Sequence, residues 1–315
     1  ASAVQKLIDI DNVKVILGGL CNSETIGAAP IAEKNKVVMM SYGSSSQDIT
    51  NAGDYIFRTY PSDASQGKTL AEFALKQGLK KAGMLTEESD DTVGIAKAFK
   101  EIFEAGGGTV QDERFLSTDT DFRTQLLLIR DAKADLVVVN PATPEKADLL
   151  FQQIAEQPIS ARFFANDVVM KWWKDGIAQA ETLIEPQEHS MPAQDNIITR
   201  YSTMVEGMIG TEVAYDDKNP EFMDLLSAYR QKTEKEELDY PAYSATTYDA
   251  VMLIAEALTK FGNDAEKVKA YLYTIKDRPS MAGKLTIDEN GDPVAGRIAN
   301  IVIRGKVEKY EEPAL

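Results

Sequence analysis

The chain has 315 residues, of which 43% are hydrophobic and 27% charged, and a formal net charge of −16. The length predicts more than one core, and the composition reads as soluble and globular. The acid excess excludes nucleic acid and anionic membrane as partners, which need a basic surface. A single cysteine, Cys21, excludes an internal disulfide, and a single histidine, His189, excludes histidine-rich metal centres and histidine relays.

Taken in chain order, residues 1–12 lack the basic start and apolar centre of a signal peptide. Val4, Leu7 and Ile8 share a helical face, so the chain reads as starting part-way through a fold. Val13–Gly19 is a strand, followed by a helix from about Ser23–Thr25 through Ile31, and Val37–Ser41 is the next strand. A helix over Gly67–Gly78 has Leu70, Phe73 and Ala74 on one side. The strand Ala82–Thr86, the helix Val93–Ala105 and the strand Thr109–Phe115 follow, with three glycines at 106–108 ending the helix. Phe122, Leu126 and Ile129 mark another helix. Asp135–Asn140 is an almost wholly apolar strand, as a strand covered on both faces should be. Pro144–Gln157 reads as a helix and Arg162–Asp167 as a strand, and no apolar run reaches the length of a membrane span. This alternation predicts an α/β fold with parallel sheets and right-handed crossovers.

The second half has a polar stretch at Glu181–Ser202, a strand at Met208–Tyr215, and helices at Asn219–Glu237, Thr247–Phe261 and Ala265–Ile275. The C-terminal stretch predicts a hairpin in which Leu285–Ile287 turns at ENGDP and pairs with Ala299–Tyr310.

Ligands of open parallel sheets bind beyond the carboxyl ends of strands. Here those ends are Gly18–Thr25, Ser41–Ser46, Glu87–Thr92, Asn140–Thr143 and Asn166–Val169. Asn22, Ser23 and Thr25 stand at a helix N-terminus, which favours an anion; plain N-capping by Ser23 or Asn22 is the other reading. SYGSSS at 41–46 is a second hydroxyl-rich strand end, with a solvated loop as its alternative. Asp167 has the sign to meet an ammonium, or it caps a turn. Glu87–Glu88 and Asp90–Asp91 read as a solvated charge run, and Cys21 as a small thiol packed in a core. Trp172 and Trp173 line a pocket or pack a helix face. The sequence has no nucleophile elbow, P-loop or dinucleotide fingerprint, so neither catalysis nor a cofactor is expected.

The segments VILGGLCNSET, VVMMSYGSSSQDIT, YIFRTYPSDASQG, TDTDFRTQL and YPAYSATTYDAVMLIAEAL carry a resemblance. The chain resembles, over essentially its whole length, the substrate-binding proteins of ABC importers for branched-chain amino acids, the type I periplasmic binding proteins. The resemblance implies two α/β lobes joined by three crossing strands, with ligand captured in the interlobe cleft by hinge closure. It places lobe one at 1–62 and 217–277 and lobe two at 63–216 and 278–315. It also implies a strand–helix–strand unit of about 50 residues ahead of Ala1, and an export signal that this stretch does not contain.

By position, the resemblance puts carboxylate binding on Asn22 and Ser23, further backbone-end contacts on Gly43, Ser44 and Ser45, and the ammonium partner on Asp167. Family members often have an aromatic where this chain has Asp91 and Ala142, so its side-chain pocket is opened or repolarised. A disulfide partner for Cys21 would fall near Ser2 and is absent. The expectation is a non-enzymatic receptor for an amino acid or small carboxylate, working with ABC permease subunits in a periplasmic or membrane-anchored extracellular setting. A ligand-sensing receptor or regulatory domain of the same fold is the alternative.

Overall fold

The computed structural model describes residues 1–173, 201–233, 235, 236, 238, 240–294 and 297–310. His189 and most of the 181–202 stretch lie outside the described residues. The chain forms two compact units, one of Ala1–Ser62 and Val213–Gly296, the other of Asp63–Glu212 and Arg297–Leu315.

In the first unit, strands β1 (Val15–Leu17), β2 (Val38–Ser41) and β3 (Ile56–Arg58) form a parallel sheet in that order. Successive side chains point to opposite faces of a strand, and each face here has its own core. Val38, Met40 and Phe57 pack with the helices Pro241–Phe261 and Ala265–Leu272. Val37, Met39 and Ile56 pack with Ser2–Asp9 and Asn22–Lys34. Strand β3 went unread in the sequence because its three residues are too few to show a period.

The segment 278–296 packs in the first unit, not the second as the sequence reading placed it. Leu285 and Ile287 join the core that holds Phe57, and Met281 joins Phe222 and Ala245. The Met281 N–H donates to Asp249 Oδ1 at 3.0 Å. Burial pushes the Asp249 carboxyl up, partly offset by the N–H groups of Met281 and Ala282 and the Ser280 hydroxyl.

The second unit is built on a seven-stranded sheet. Its strands, in chain order, are β4 (Lys81–Glu87), β5 (Thr109–Phe115), β6 (Leu136–Asn140), β7 (Arg162–Ala165), β8 (Ile209–Val213), β11 (Arg297–Ile303) and β12 (Lys306–Lys309). Their order across the sheet is β12-β11-β8-β7-β6-β4-β5, with β5 through β8 parallel. All five residues of β6 are buried, with Val137 and Val139 in one core and Leu136 and Val138 in the other. The expected pairing of Leu285–Ile287 with Ala299–Tyr310 does not form. Instead β11 and β12 make their own hairpin about Arg304 and Gly305, both at positive φ, while β10 (Gly283–Leu285) pairs with β9 (Arg278–Ser280). Two residues at positive φ are the tight turn whose twist matches the flanking strands, so the local turn decides the pairing. Trp172 and Trp173 are core, not pocket: Trp173 is fully buried and its Nε1 donates to Gly305 O at 2.9 Å.

The helices Asp63–Lys76 and Asp90–Ala105 of the second unit meet backbone to backbone at Gly67. A Cβ there would lie 2.2 Å from Ile95 O and 2.7 Å from Phe99 N. Neither atom can swing aside, so Gly67→Ala must separate the two helices. It is expected to cost about 1–3 kcal/mol or more by overpacking. Urea unfolding checks this; a loss below about 0.5 kcal/mol would show that the helices separate freely.

Candidate functional site

The candidate residues divide between the two units. Asn22, Ser23, Gly43, Ser44 and Ser45 belong to the first, and Asp91, Ala142 and Asp167 to the second.

In the first unit β1 and β2 are neighbours, so the loops after them meet. The Asn22 amide oxygen accepts from the N–H groups of Ser45 at 2.7 Å and Ser46 at 3.0 Å. Ser44 is fully buried, with its Oγ 2.8 Å from Thr25 Oγ1 and 3.2 Å from Leu20 O. Asn22 and Ser44 therefore brace one loop on the other. Ser23 is exposed and Ser45 half-buried, and no other described residue engages either hydroxyl. Gly43 is buried. A Cβ there would lie 2.4 Å from Leu20 Cδ1 and 3.3 Å from Tyr243 Cε1, so the missing side chain lets Tyr243 close on the loop. Tyr243 stacks on Tyr60 with centroids 4.7 Å apart, an aromatic shelf that the sequence reading did not assign.

The helix Asn22–Lys34 is capped by Cys21, which accepts from the Glu24 N–H through its side chain. Cys21 is exposed, so its reading as a core thiol is overturned: at the cap it faces solvent. The Glu24 carboxylate reaches back to the N–H groups of Leu20 at 3.0 Å and Cys21 at 3.1 Å, a capping box. Glu24 thus already answers part of the anion-binding capacity expected of this helix N-terminus.

Arg58 organises the same loops from beneath. Its guanidinium is fully buried and binds Asp292 in a fork, Nε to Oδ1 and Nη2 to Oδ2, both 2.6 Å. It also donates to Ser46 O at 2.8 Å, Ser44 O at 3.4 Å and Thr50 Oγ1 at 2.8 Å. Sequence reading missed it because its partner Asp292 lies 234 residues away.

In the second unit, strand β7 ends at Ala165, earlier than expected. Asn166 then caps a helix whose described part is 167–173, accepting from the Val169 N–H at 3.2 Å. Asp167 is the first helical residue, a favourable place for a negative charge. Its N–H donates to Gln66 Oε1 at 3.0 Å. Its Oδ2 accepts from Arg297 Nη1 at 2.6 Å, and Arg297 Nη2 reaches Asp63 Oδ1 at 3.3 Å. The arginine side chain is buried, Asp63 nearly so, and Asp167 is about one-third exposed. Among the described residues one guanidinium reaches two carboxylates, which fixes the orientation of the Asp167 carboxylate.

Asp91 is exposed in the first turn of Asp90–Ala105, a helix capped by Ser89. Ala142 is half-buried, and its N–H donates to Glu87 Oε2 at 2.7 Å. Glu87 is only 2% exposed, which overturns its reading as part of a solvated charge run; Glu88, Asp90 and Asp91 are exposed as that reading expected. Strand β4 lies between β5 and β6 in the sheet, which buries its last residue. Asn140 and Asn166, both buried, join through Nδ2 of Asn166 and Oδ1 of Asn140 at 3.0 Å. Among the described residues no group of three or more His, Cys, Asp or Glu side chains could hold a metal ion, and no helix is long and apolar enough to cross a membrane.

Hydroxyl and backbone donors thus stand at the strand ends of the first unit, and carboxylates at those of the second. The family described as "Receptor family ligand binding region" matches residues 1–299, and the chain belongs to it. It is 27% identical, over 93% of its length and 72% of the relative's, to the leucine-, isoleucine-, valine-, threonine-, and alanine-binding protein of Pseudomonas aeruginosa. It is 25% identical, over 92% of its length and 73% of the relative's, to the Leu/Ile/Val-binding protein BraC3 of Rhizobium johnstonii. The leucine binding protein LivK of Thermotoga maritima superposes with a TM-score of 0.72 at 27% identity, covering 98% of this chain and 82% of that one. The fold is that of the type I periplasmic binding proteins.

Proposed function

We propose that the chain is the solute receptor of an ABC importer, working in a periplasmic or extracellular setting with a membrane permease. It binds an amino acid or small carboxylate and releases it unchanged. The observation that carries this reading is the division of chemistry over the strand ends. The first unit offers hydroxyl and backbone donors at Asn22, Ser23 and Gly43–Ser45. The second offers carboxylates, foremost Asp167 in the orientation set by Arg297. Donors of that kind suit a solute carboxylate, and Asp167 suits an α-ammonium. The names of the relatives, which bind leucine, isoleucine and valine, support the same class of solute.

A thermal-shift screen on protein stripped of carried-over solute tests this. Leucine, isoleucine, valine, alanine, phenylalanine, acidic amino acids and simple aromatic acids form the panel. A solute at 100 times its Kd stabilises by about 2.7 kcal/mol. No shift with any of them, in a protein that melts cooperatively, overturns the reading.

Asp167→Ala separates the roles. It is expected to weaken α-amino acids by about tenfold to a hundredfold, the range of a charge-assisted hydrogen bond, and to spare carboxylates lacking the amine. Titration calorimetry reads both. Equal losses would make Asp167 a structural partner of Arg297 only.

A further inference from the structure

The four backbone donors of Gly43, Ser44, Ser45 and Ser46 are all answered inside the first unit. Ser41 Oγ, fully buried, donates to Gly19 O at 2.8 Å and accepts from the N–H groups of Gly43 at 3.4 Å and Ser44 at 3.1 Å. The next two N–H groups converge on one atom, Asn22 Oδ1, at 2.7 Å from Ser45 and 3.0 Å from Ser46. Successive N–H groups aimed at a single oxygen form the concavity in which a loop holds an anion. Here a neutral amide oxygen fills it.

That oxygen is exchangeable. Asn22 is half-buried and is the first residue of the helix Asn22–Lys34, so its side chain can change rotamer while the helix stays in place. The loop has other anchors that remain: Arg58 on Ser44 O and Ser46 O, Thr25 Oγ1 on Ser44 Oγ, and Ser41 on the N–H groups before them. Hydrogen bonds to an ionised oxygen are about twice as strong as those between neutral groups. A carboxylate arriving at this N–H pair therefore gains by replacing Asn22, whereas a carboxamide exchanges like for like.

Resting on the receptor reading above, we propose that Asn22 is a displaceable stand-in for the solute's carboxylate. Its amide oxygen keeps the Ser45 and Ser46 donors satisfied until the carboxylate takes them over and the side chain turns out to water. Asn22 then sets specificity, because displacing it lowers the affinity of every solute and only an ionised carboxylate offsets the loss. This reverses the part that the resemblance gives Asn22: it competes with the carboxylate instead of contacting it.

Asn22→Ala tests this through the sign of its effect. In titration calorimetry with the solute panel, the variant is expected to bind carboxylates about tenfold more tightly than wild type, since two neutral hydrogen bonds no longer have to be broken. Its urea midpoint should fall, then recover in acetate or acetamide but not in chloride at the same ionic strength. Should that variant not fold by circular dichroism, Asn22→Asp serves: its own carboxylate seated on the N–H pair should raise the urea midpoint and weaken solute carboxylates by about tenfold or more. A folded Asn22→Ala that binds carboxylates no better than wild type, or whose midpoint acetate does not move, overturns the proposal alone and leaves Asn22 a loop brace. So does an Asn22→Asp that binds them like wild type. Binding of no panel solute to wild type or variant overturns the receptor reading and this proposal with it.

Discussion

Replacing Arg58 with methionine is expected to lower the stability of the first unit by about 3–5 kcal/mol, the cost of leaving one partner of a buried ion pair behind. Asp292 would remain in its buried position, keeping only the Thr50 hydroxyl, 2.7 Å from Oδ2, of the side-chain bonds it now accepts. Ser44 O would also lose its donor, and Ser46 O would keep only the Ile49 N–H, 3.3 Å away. The planar fork of arginine matches carboxylate and carbonyls together, and methionine replaces its bulk but none of its five donors. Urea unfolding measures the loss, and amide exchange at Ser45 and Ser46 should quicken in the folded protein. The double variant Arg58→Met, Asp292→Leu should be markedly less damaged, because it leaves no buried charge. A single-variant loss under 1 kcal/mol would show that water reaches Asp292 and that the pair does not brace the loop.

Arg297→Met is the second large effect. It removes the cation shared by Asp63 and Asp167 and leaves two carboxylates near each other at low exposure. The second unit should lose about 3 kcal/mol. Arg297→Lys should recover part of this but not all, since a single ammonium cannot present the separate Nη1 and Nη2 that now reach the two acids. Unfolding of the three proteins at one pH and salt concentration decides it. Equal losses for methionine and lysine would mean that the two-pronged geometry of the guanidinium, not its charge alone, holds Asp63 and Asp167.

Much of the fold is readable where its cause is local. The apolar run at Leu136–Asn140 and the helical spacing of Ile95, Phe99 and Phe103 are set by residues within one element, and the structure has both. The glycine- and hydroxyl-rich strand ends were also legible, because helix caps use a small set of side chains. The structure then shows how many of those groups serve the fold: Ser89, Thr143 and Asn166 cap helices, and Asn22 and Ser44 brace loops.

The misreadings share another cause. Cys21 was given a core it does not enter, and Glu87 a solvation it does not have, because burial depends on which strands lie alongside. The C-terminal hairpin closes at Arg304–Gly305, whereas the turn at ENGDP, the stronger signal in the sequence, does not join Leu285–Ile287 to Ala299–Tyr310.

By itself, then, the sequence determined the alternation of strands and helices, the parallel sheets that follow from it, and the acidic and hydroxyl-rich character of the strand ends. Those depend on side-chain period and backbone preference within a few residues. Only the tertiary structure decided that Arg58 meets Asp292 across 234 residues, that Arg297 meets Asp167 across 130, and that Glu87 meets the Ala142 N–H across 55. A charge carries no sequence mark of its distant partner. The partner is chosen by sheet order and register, which exist only once the strands have come together.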